Sequence, residues 1–226
     1  GLPELCGDQR ARIVSADRVS NPGCYSSTFI LLLRPLIDAG LMPTNVPISI
    51  HALSGYSGGG KSMIERWEKP DNELANISYE APYALERVHK HIPEMQRYTG
   101  LTVQPQFLPA VGSFHSGMRV QVPLHESVFY NKPEGEEIWS ILDQRYKGER
   151  FVHVAPFAGF EAASEIELDP TQFNGSNQLQ IHIYPNPAGH ILLVGLLDNL
   201  GKGASGVAVQ CLNLMLGLPE HEGLPG

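Results

Sequence analysis

Two apolar runs, LQIHIY from Leu179 to Tyr184 and ILLVGLL from Ile191 to Leu197, are separated only by Pro185-Asn186-Pro187-Ala188-Gly189. Prolines and a glycine between two strand-like segments continue neither, so this stretch predicts an antiparallel hairpin with a loop. Other segments carry the same period of two: Val46 to Leu53, Leu101 to Leu108 and the cleanly alternating Met118 to Leu124. Residues 11 to 20 suit a short strand leading into the turn Asn21-Pro22-Gly23. Helical patterning covers Tyr25 to Ala39, Glu134 to Tyr146 and Ala204 to Leu216, with shorter pieces at Ser62 to Glu68 and Pro93 to Tyr98. Gly40 is placed to stop the first helix and Pro35 to kink it. The polar stretch from Asp71 to Pro82 reads as a surface excursion. Strands outnumber the helices between them, which predicts an α+β fold: a mixed, largely antiparallel sheet with helices on one face.

The composition narrows the function classes. At 226 residues with 42% hydrophobic and 18% charged residues the chain can bury a sizeable core. A formal net charge of −8 and the lack of Lys/Arg runs argue against nucleic-acid or membrane-surface partners, and the apolar runs are far too short for a bilayer span. Cys6, Cys24 and Cys211 are an odd set at wide spacing, so neither a disulfide framework nor a zinc site is indicated, and a reducing compartment is expected. The start, GLPELCGDQRARIV, lacks an initiator Met and any signal pattern, and reads as the middle of something longer.

Three constellations could carry chemistry. Cys24 follows Asn-Pro-Gly at the start of a predicted helix, where the dipole favours thiolate and is expected to depress the pKa below the free value of about 8.5. The competing reading is a buried apolar cysteine, which is retained for Cys6 and Cys211. His89 and His91 share a face if extended, and either could act as a base near neutral pH. No third or fourth ligand for a metal is evident, and His115, His125 and the other histidines are expected to stand alone as structural or solvated groups. Gly55 to Ser62, GYSGGGKS, fits a phosphate-loop pattern, with Ile191 to Asp198 like a Walker B strand. Pro70 cuts the following helix short, which weighs against nucleotide hydrolysis.

The residues together resemble the N-acetyl-gamma-glutamyl-phosphate reductase family in its shorter subtype, from about Gly1 to Gly217. The resemblance is carried by SNPGCYSST, HALSGYSGGGK, HKHIPEM, FLPAVGSFHSGM and LDNLGKGASGVAVQCLNLMLGL, in order. It implies the fold of glyceraldehyde-3-phosphate and aspartate-semialdehyde dehydrogenases and an NADP(H)-dependent reduction of an acyl phosphate through a cysteine thioester. Cys24 would be the nucleophile and His89 its acid/base partner. Ser54, Gly55, His91 and Lys61 would contact substrate, and Ser57, Gly58 and Asn199 the cofactor, with no metal. For Lys61 a solvated side chain, and for Asn199 a cap on the last helix, are the competing readings. The resemblance further implies a cytoplasmic homo-oligomer, dimer or tetramer, acting on a small-molecule acyl phosphate. The family's N-terminal glycine-rich nucleotide fingerprint is absent. Residues 1–20 would then be the tail of a dinucleotide-binding domain, 21–196 the catalytic and dimerisation domain, and 197–226 a segment whose helix returns toward the nucleotide domain. The alternatives are a phosphate-loop nucleotide-binding protein using Gly55 to Ser62, a cofactor-free Cys-His thiol hydrolase, and a non-enzymatic oligomerisation domain.

Overall fold

The computed structural model describes residues 1–159 and 165–226. Its centre is a seven-stranded sheet in the order β2-β3-β1-β4-β7-β6-β5, with β1 Ser49–Gly55, β2 Ala81–Pro82, β3 Gln106–Gly112, β4 Met118–Leu124, β5 Val152–Val154, β6 Leu179–Pro185 and β7 Ile191–Leu197. Only β1 with β3 and β5 with β6 run parallel; the other neighbours are antiparallel. The expected hairpin forms in register from Leu179 opposite Leu197 to Pro185 opposite Ile191. Along β4 the pleat separates buried Met118, Val120, Val122 and Leu124 from the more open Arg119, Gln121 and Pro123. Helices α2 (Cys24–Asp38) and α5 (Gly135–Tyr146) pack on the strands, so the mixed, largely antiparallel sheet with helices agrees with the sequence reading.

Helix α2 is buried over most of its length. Pro35 lies inside it and cannot donate to the carbonyl four residues back, that of Leu31. The Tyr146 hydroxyl of α5 donates to that carbonyl at 2.6 Å, so the orphaned acceptor becomes a tie between helices. The helix ends at Gly40, whose φ of +71° is the left-handed conformation expected there.

Several expectations need correction. Residues 11 to 20 do not form a strand; Gln9–Val14 is helix α1, whose one buried residue, Ile13, faces the core while the helix packs on α6 (Gly206–Met215). A single buried residue in one helical turn leaves too little periodicity to distinguish helix from strand. The strand expected at Leu101 to Leu108 begins at Gln106, where pairing with Ser49 starts, and runs on to Gly112. Strands β2 and β5 were not anticipated, because two- and three-residue strands carry no readable alternation. Helices α3 (Gly60–Glu68) and α4 (Ile92–Thr99) lie where short helices were expected. The last helix is preceded by a π-helical turn, Gly201–Ser205. Among the described residues no helix is long and apolar enough to cross a membrane.

Candidate active site

Cys24 opens α2, with Gly23 as its extended N-cap. This turn is held from outside the helix. The Glu94 carboxylate of α4 accepts the Gly23 N–H at 3.0 Å and also the Ser26 hydroxyl, satisfying donors that a helix start leaves free. The ring of His91 lies so close over Gly23 that a Cβ there would overlap it. On the other side stands the π-helical turn: a Cβ on Gly203 would come within 2.8 Å of Cys24 Cβ. On both sides of Cys24 the packing therefore requires glycine for room.

The expected depression of the Cys24 pKa is not found. Burial pushes the thiol up to about 11, while the Tyr25 and Cys24 backbone N–H groups and, more weakly, Lys90 pull the other way. Glu94 adds to the rise. The helix start supplies the stabilising donors that were foreseen; the desolvation of the site, which no sequence pattern shows, outweighs them.

His89 is placed near Cys24 through two tyrosines. Its ring lies 6.0 Å from Tyr25 and 5.9 Å from Tyr83, edge-on to both, and the Tyr83 hydroxyl donates to that of Tyr25 at 3.2 Å. Both tyrosines feel the charge of Cys24, and burial pushes Tyr83 up to about 12 and Tyr25 well above its ordinary range. Among the described residues no hydrogen bond joins Cys24 directly to His89. His89 and His91 pack edge to face, 4.6 Å between centroids, and the His91 N–H donates to His89 Nδ1 at 3.1 Å. A neutral imidazole that accepts at Nδ1 carries its proton on Nε2, so His89 is held as a donor at Nε2. Burial and then Lys90 lower its pKa, against Glu86.

His91 is 8% exposed, and Nδ1 has no hydrogen-bond partner among the described residues. Burial lowers its pKa to about 4, helped by His89 and Lys90 and opposed by Glu94. The unfolded histidine, near 6.5, then takes up a proton that the folded one refuses, so this contribution is present above about pH 6.5 and is lost as pH falls toward 4. Between pH 7 and 5 the loss should be about 2 kcal/mol. Urea melts at the two pH values should show this difference in the wild type and a smaller one in His91→Gln; equal differences would remove His91 as its source.

The first backbone donors of the glycine-rich loop are taken up within the fold. Gly55, Tyr56 and Ser57 donate their N–H groups to the carbonyls of Gly117, Phe114 and His115 at 2.9, 3.0 and 3.0 Å, so these donors are already used. The strand compared with Walker B, β7, lies two places from β1 and antiparallel to both neighbours. Asp198 at its end accepts from Gly175 and Leu200 N–H groups. Both observations weigh against the phosphate-loop reading. Lys61 is exposed.

Asn199, buried at 2% exposure, does not cap the last helix; it accepts the Gly117 N–H at 2.7 Å and donates to Ser57 Oγ at 3.1 Å, pinning the loop. Gly58 is exposed, and a Cβ there would stand 3.2 Å from Ser54 Oγ and 3.3 Å from Asn199 Nδ2. Ser54, Ser57, Gly58 and Asn199 thus meet at one point, and Asn199 Nδ2 has a second hydrogen to offer. A Cβ at Gly58 would already be tight against these polar atoms, so glycine is what lets the loop approach them.

Sequence reasoning missed Glu94, Tyr25, Tyr83 and Gly203. Glu94 stands within HKHIPEM, three residues after His91, and that spacing on a helix start was the available signal. Tyr83 carries no sequence signal. His125 does not stand alone either: its ring packs against that of His190 at a tilt of 34°, with 4.3 Å between centroids. Among the described residues no three His, Cys, Asp or Glu side chains converge as a metal site.

Residues 24–199 match the family model for the semialdehyde dehydrogenase dimerisation domain, which defines the class. Solved aspartate semialdehyde dehydrogenases have the same fold: that from Vibrio cholerae complexed with ASA superposes with a TM-score of 0.67 at 17% identity, over 96% of this chain and 67% of the other. The enzyme from Francisella tularensis gives 0.67 at 15% identity, over 95% and 70%. N-acetyl-gamma-glutamyl-phosphate reductase 2 of Nostoc sp. is 47% identical over 99% of this chain and 71% of its own length. The reductase 2 of Pseudomonas putida is 46% identical over 99% and 70%. The chain belongs to the N-acetyl-gamma-glutamyl-phosphate reductase family.

Proposed function

We propose that the chain carries the chemistry of an NADPH-dependent reduction of N-acetyl-gamma-glutamyl phosphate to N-acetylglutamate semialdehyde, with release of phosphate, as a step of arginine biosynthesis. The observation that carries this reading is Cys24 at the start of a buried helix, enclosed by His91, Gly203 and the Tyr25–Tyr83–His89 cluster, in a chain 47% identical to a relative bearing that name. The Cys24 sulfur attacks the acyl carbon, the C–O bond to phosphate breaks with its electrons, and the thiol proton ends on the departing phosphate. With a pKa near 11 only roughly 3 × 10⁻⁴ of the thiol is ionised at pH 7.5, so deprotonation and attack must be coupled. The N–H groups at the start of α2 stabilise negative charge as it develops.

NADPH, when bound, supplies a hydride to the thioester, and Ser57, Gly58 and Asn199 would hold its nicotinamide end. The Nε2–H of neutral His89 would donate a hydrogen bond to the oxygen of the reacting carbon as negative charge develops there; when the C–S bond breaks, the aldehyde C=O reforms and the electrons go to the Cys24 sulfur, which regains its proton from solvent. Use of His89 as a base requires Nδ1 to give up the His91 N–H first. Ser54, Gly55 and His91 are the proposed substrate contacts, and Lys61 would offset phosphate charge. We assign residues 1–20 to the tail of a nucleotide-binding domain, 21–196 to the catalytic and dimerisation domain and 197–226 to the returning segment, in a homo-oligomer.

The test is to trap the thioester. Incubated with N-acetyl-gamma-glutamyl phosphate and no NADPH, the protein should release phosphate stoichiometrically, and peptide mass spectrometry should find the acyl group on Cys24. Phosphate release without that adduct, or an adduct on Cys6 or Cys211 instead, would overturn the reading.

A further inference from the structure

A buried ionic clasp lies behind the wall of the Cys24 site. Lys202, fully buried in the π-helical turn, donates from Nζ to Glu4 Oε1 at 2.7 Å and to Gln210 Oε1 at 2.6 Å. Gln210 Nε2 donates to the same Glu4 oxygen at 2.7 Å, and Lys202 Nζ lies 5.5 Å from the centre of the Phe151 ring. The other carboxylate oxygen, Glu4 Oε2, is buried without a partner among the described residues. Buried charges with unsatisfied valence contribute little net stability compared with an apolar pair of the same shape, so this arrangement asks for a reason other than stability.

Position supplies the reason. The residue after Lys202 is Gly203, which stands against Cys24. The Gly203 N–H is donated to the Asp198 carbonyl at 2.9 Å, and Asn21, three residues before Cys24, donates to the Ala204 carbonyl at 3.0 Å. A π-helical turn is a strained form of helix that needs outside support, and such turns recur at functional sites. We infer that the Glu4–Lys202–Gln210 clasp is a positioning device: it holds the π-turn against Cys24 and so sets how deeply the thiol is buried. Glu4 lies in the segment before α1 and 198 residues from Lys202, so the clasp ties the site to a distant part of the chain. Its effect on turnover rests on Cys24 being the nucleophile; its effect on the thiol's surroundings does not.

The experiment reads Cys24 directly. Alkylation by iodoacetamide is followed against pH with mass spectrometric location of the label, in wild type, in Glu4→Gln and in the apolar pair Glu4→Leu/Lys202→Met, with a urea melt of each variant to set conditions under which every variant is fully folded. If the clasp positions the turn, Glu4→Gln admits water to the thiol, the Cys24 midpoint falls from near 11 toward the free value, and its rate at pH 8 rises about tenfold or more in the fully folded variant. The apolar pair, which restores packing without charge, returns the Cys24 midpoint most of the way to wild type. A rise at Cys24 that appears only where the melt shows unfolded protein would mean that the clasp serves only general stability, and an unchanged Cys24 in Glu4→Gln would mean that it does not bear on the site; either overturns the inference. Thioester trapping can fail while this result stands, so the two readings are separable.

Discussion

Replacing Cys24 by serine is expected to lower the rate of phosphate release from N-acetyl-gamma-glutamyl phosphate by about four orders of magnitude or more, the scale seen when a covalent nucleophile is removed. The substitution changes one atom and leaves the α2 start, the Gly203 contact and the Glu94 anchor in place, so the melting temperature should hardly move. The thiol is already a reluctant acid here, at about 11, because burial outweighs the helix N–H groups. A serine hydroxyl in the same surroundings is far harder to ionise and less polarisable, so the coupled attack available to sulfur is lost to oxygen. Wild-type alkylation should keep rising with pH beyond 8.5. If the serine variant retained activity within tenfold, Cys24 would be a packed core thiol and the acyl group would have to be carried elsewhere.

How much of this was legible beforehand differs by kind of information. The long elements were: β4 falls on Met118–Leu124 as its alternation predicted, and the β6–β7 hairpin follows from the prolines between its strands. Cys24 at a helix start was legible from Asn-Pro-Gly. What failed was decided by contacts distant in sequence. β5 exists because β6 offers it a parallel edge. α1 is a short helix with one buried residue that packs on α6, far along the chain. The sign of the Cys24 pKa shift depends on how much protein surrounds the sulfur, and the wall is built from Gly203 and His91, 179 and 67 residues further along the chain.

Asn199 shows a subtler gap. The resemblance placed it against the nicotinamide amide, with helix capping as the competing reading. The structure gives it a third employment, joining Gly117 to Ser57 across β4 and the loop after β1. An amide has two hydrogens and two lone pairs, so pinning the loop and facing a cofactor are compatible. The same holds for His91, which is at once a spacer over Gly23 and, through its backbone N–H, the donor that sets the His89 tautomer. Side chains with several valences rarely have one role, and a sequence reading that asks for one will undercount.

Lys202→Met is expected to destabilise the fold by about 3–5 kcal/mol at pH 7, the usual cost of stranding one partner of a buried ion pair. For a chain of this length that corresponds to a melting temperature lower by about 6–20 °C. The pH dependence identifies the cause. Burial by itself would raise the Glu4 carboxyl, but the Lys202 charge with its hydrogen bond, and that of Gln210, hold it below the usual carboxylate value. In the wild type this stabilisation is present above the unfolded pKa near 4.5 and is lost as pH falls through the lower folded value. Without Lys202 only desolvation and Gln210 remain, the Glu4 pKa rises, and acid relieves the buried charge. The gap between wild type and Lys202→Met should therefore be widest near neutrality and narrow as pH falls, first through the raised Glu4 pKa of the variant down to about 4.5 and further below it as the wild type loses its own stabilisation, measured by denaturant melts across that range. Glu4→Leu/Lys202→Met should lie close to the wild type at pH 7 and should not share the narrowing. A gap that stayed constant with pH would place the loss in the packing of the lysine stem and not in the stranded carboxylate.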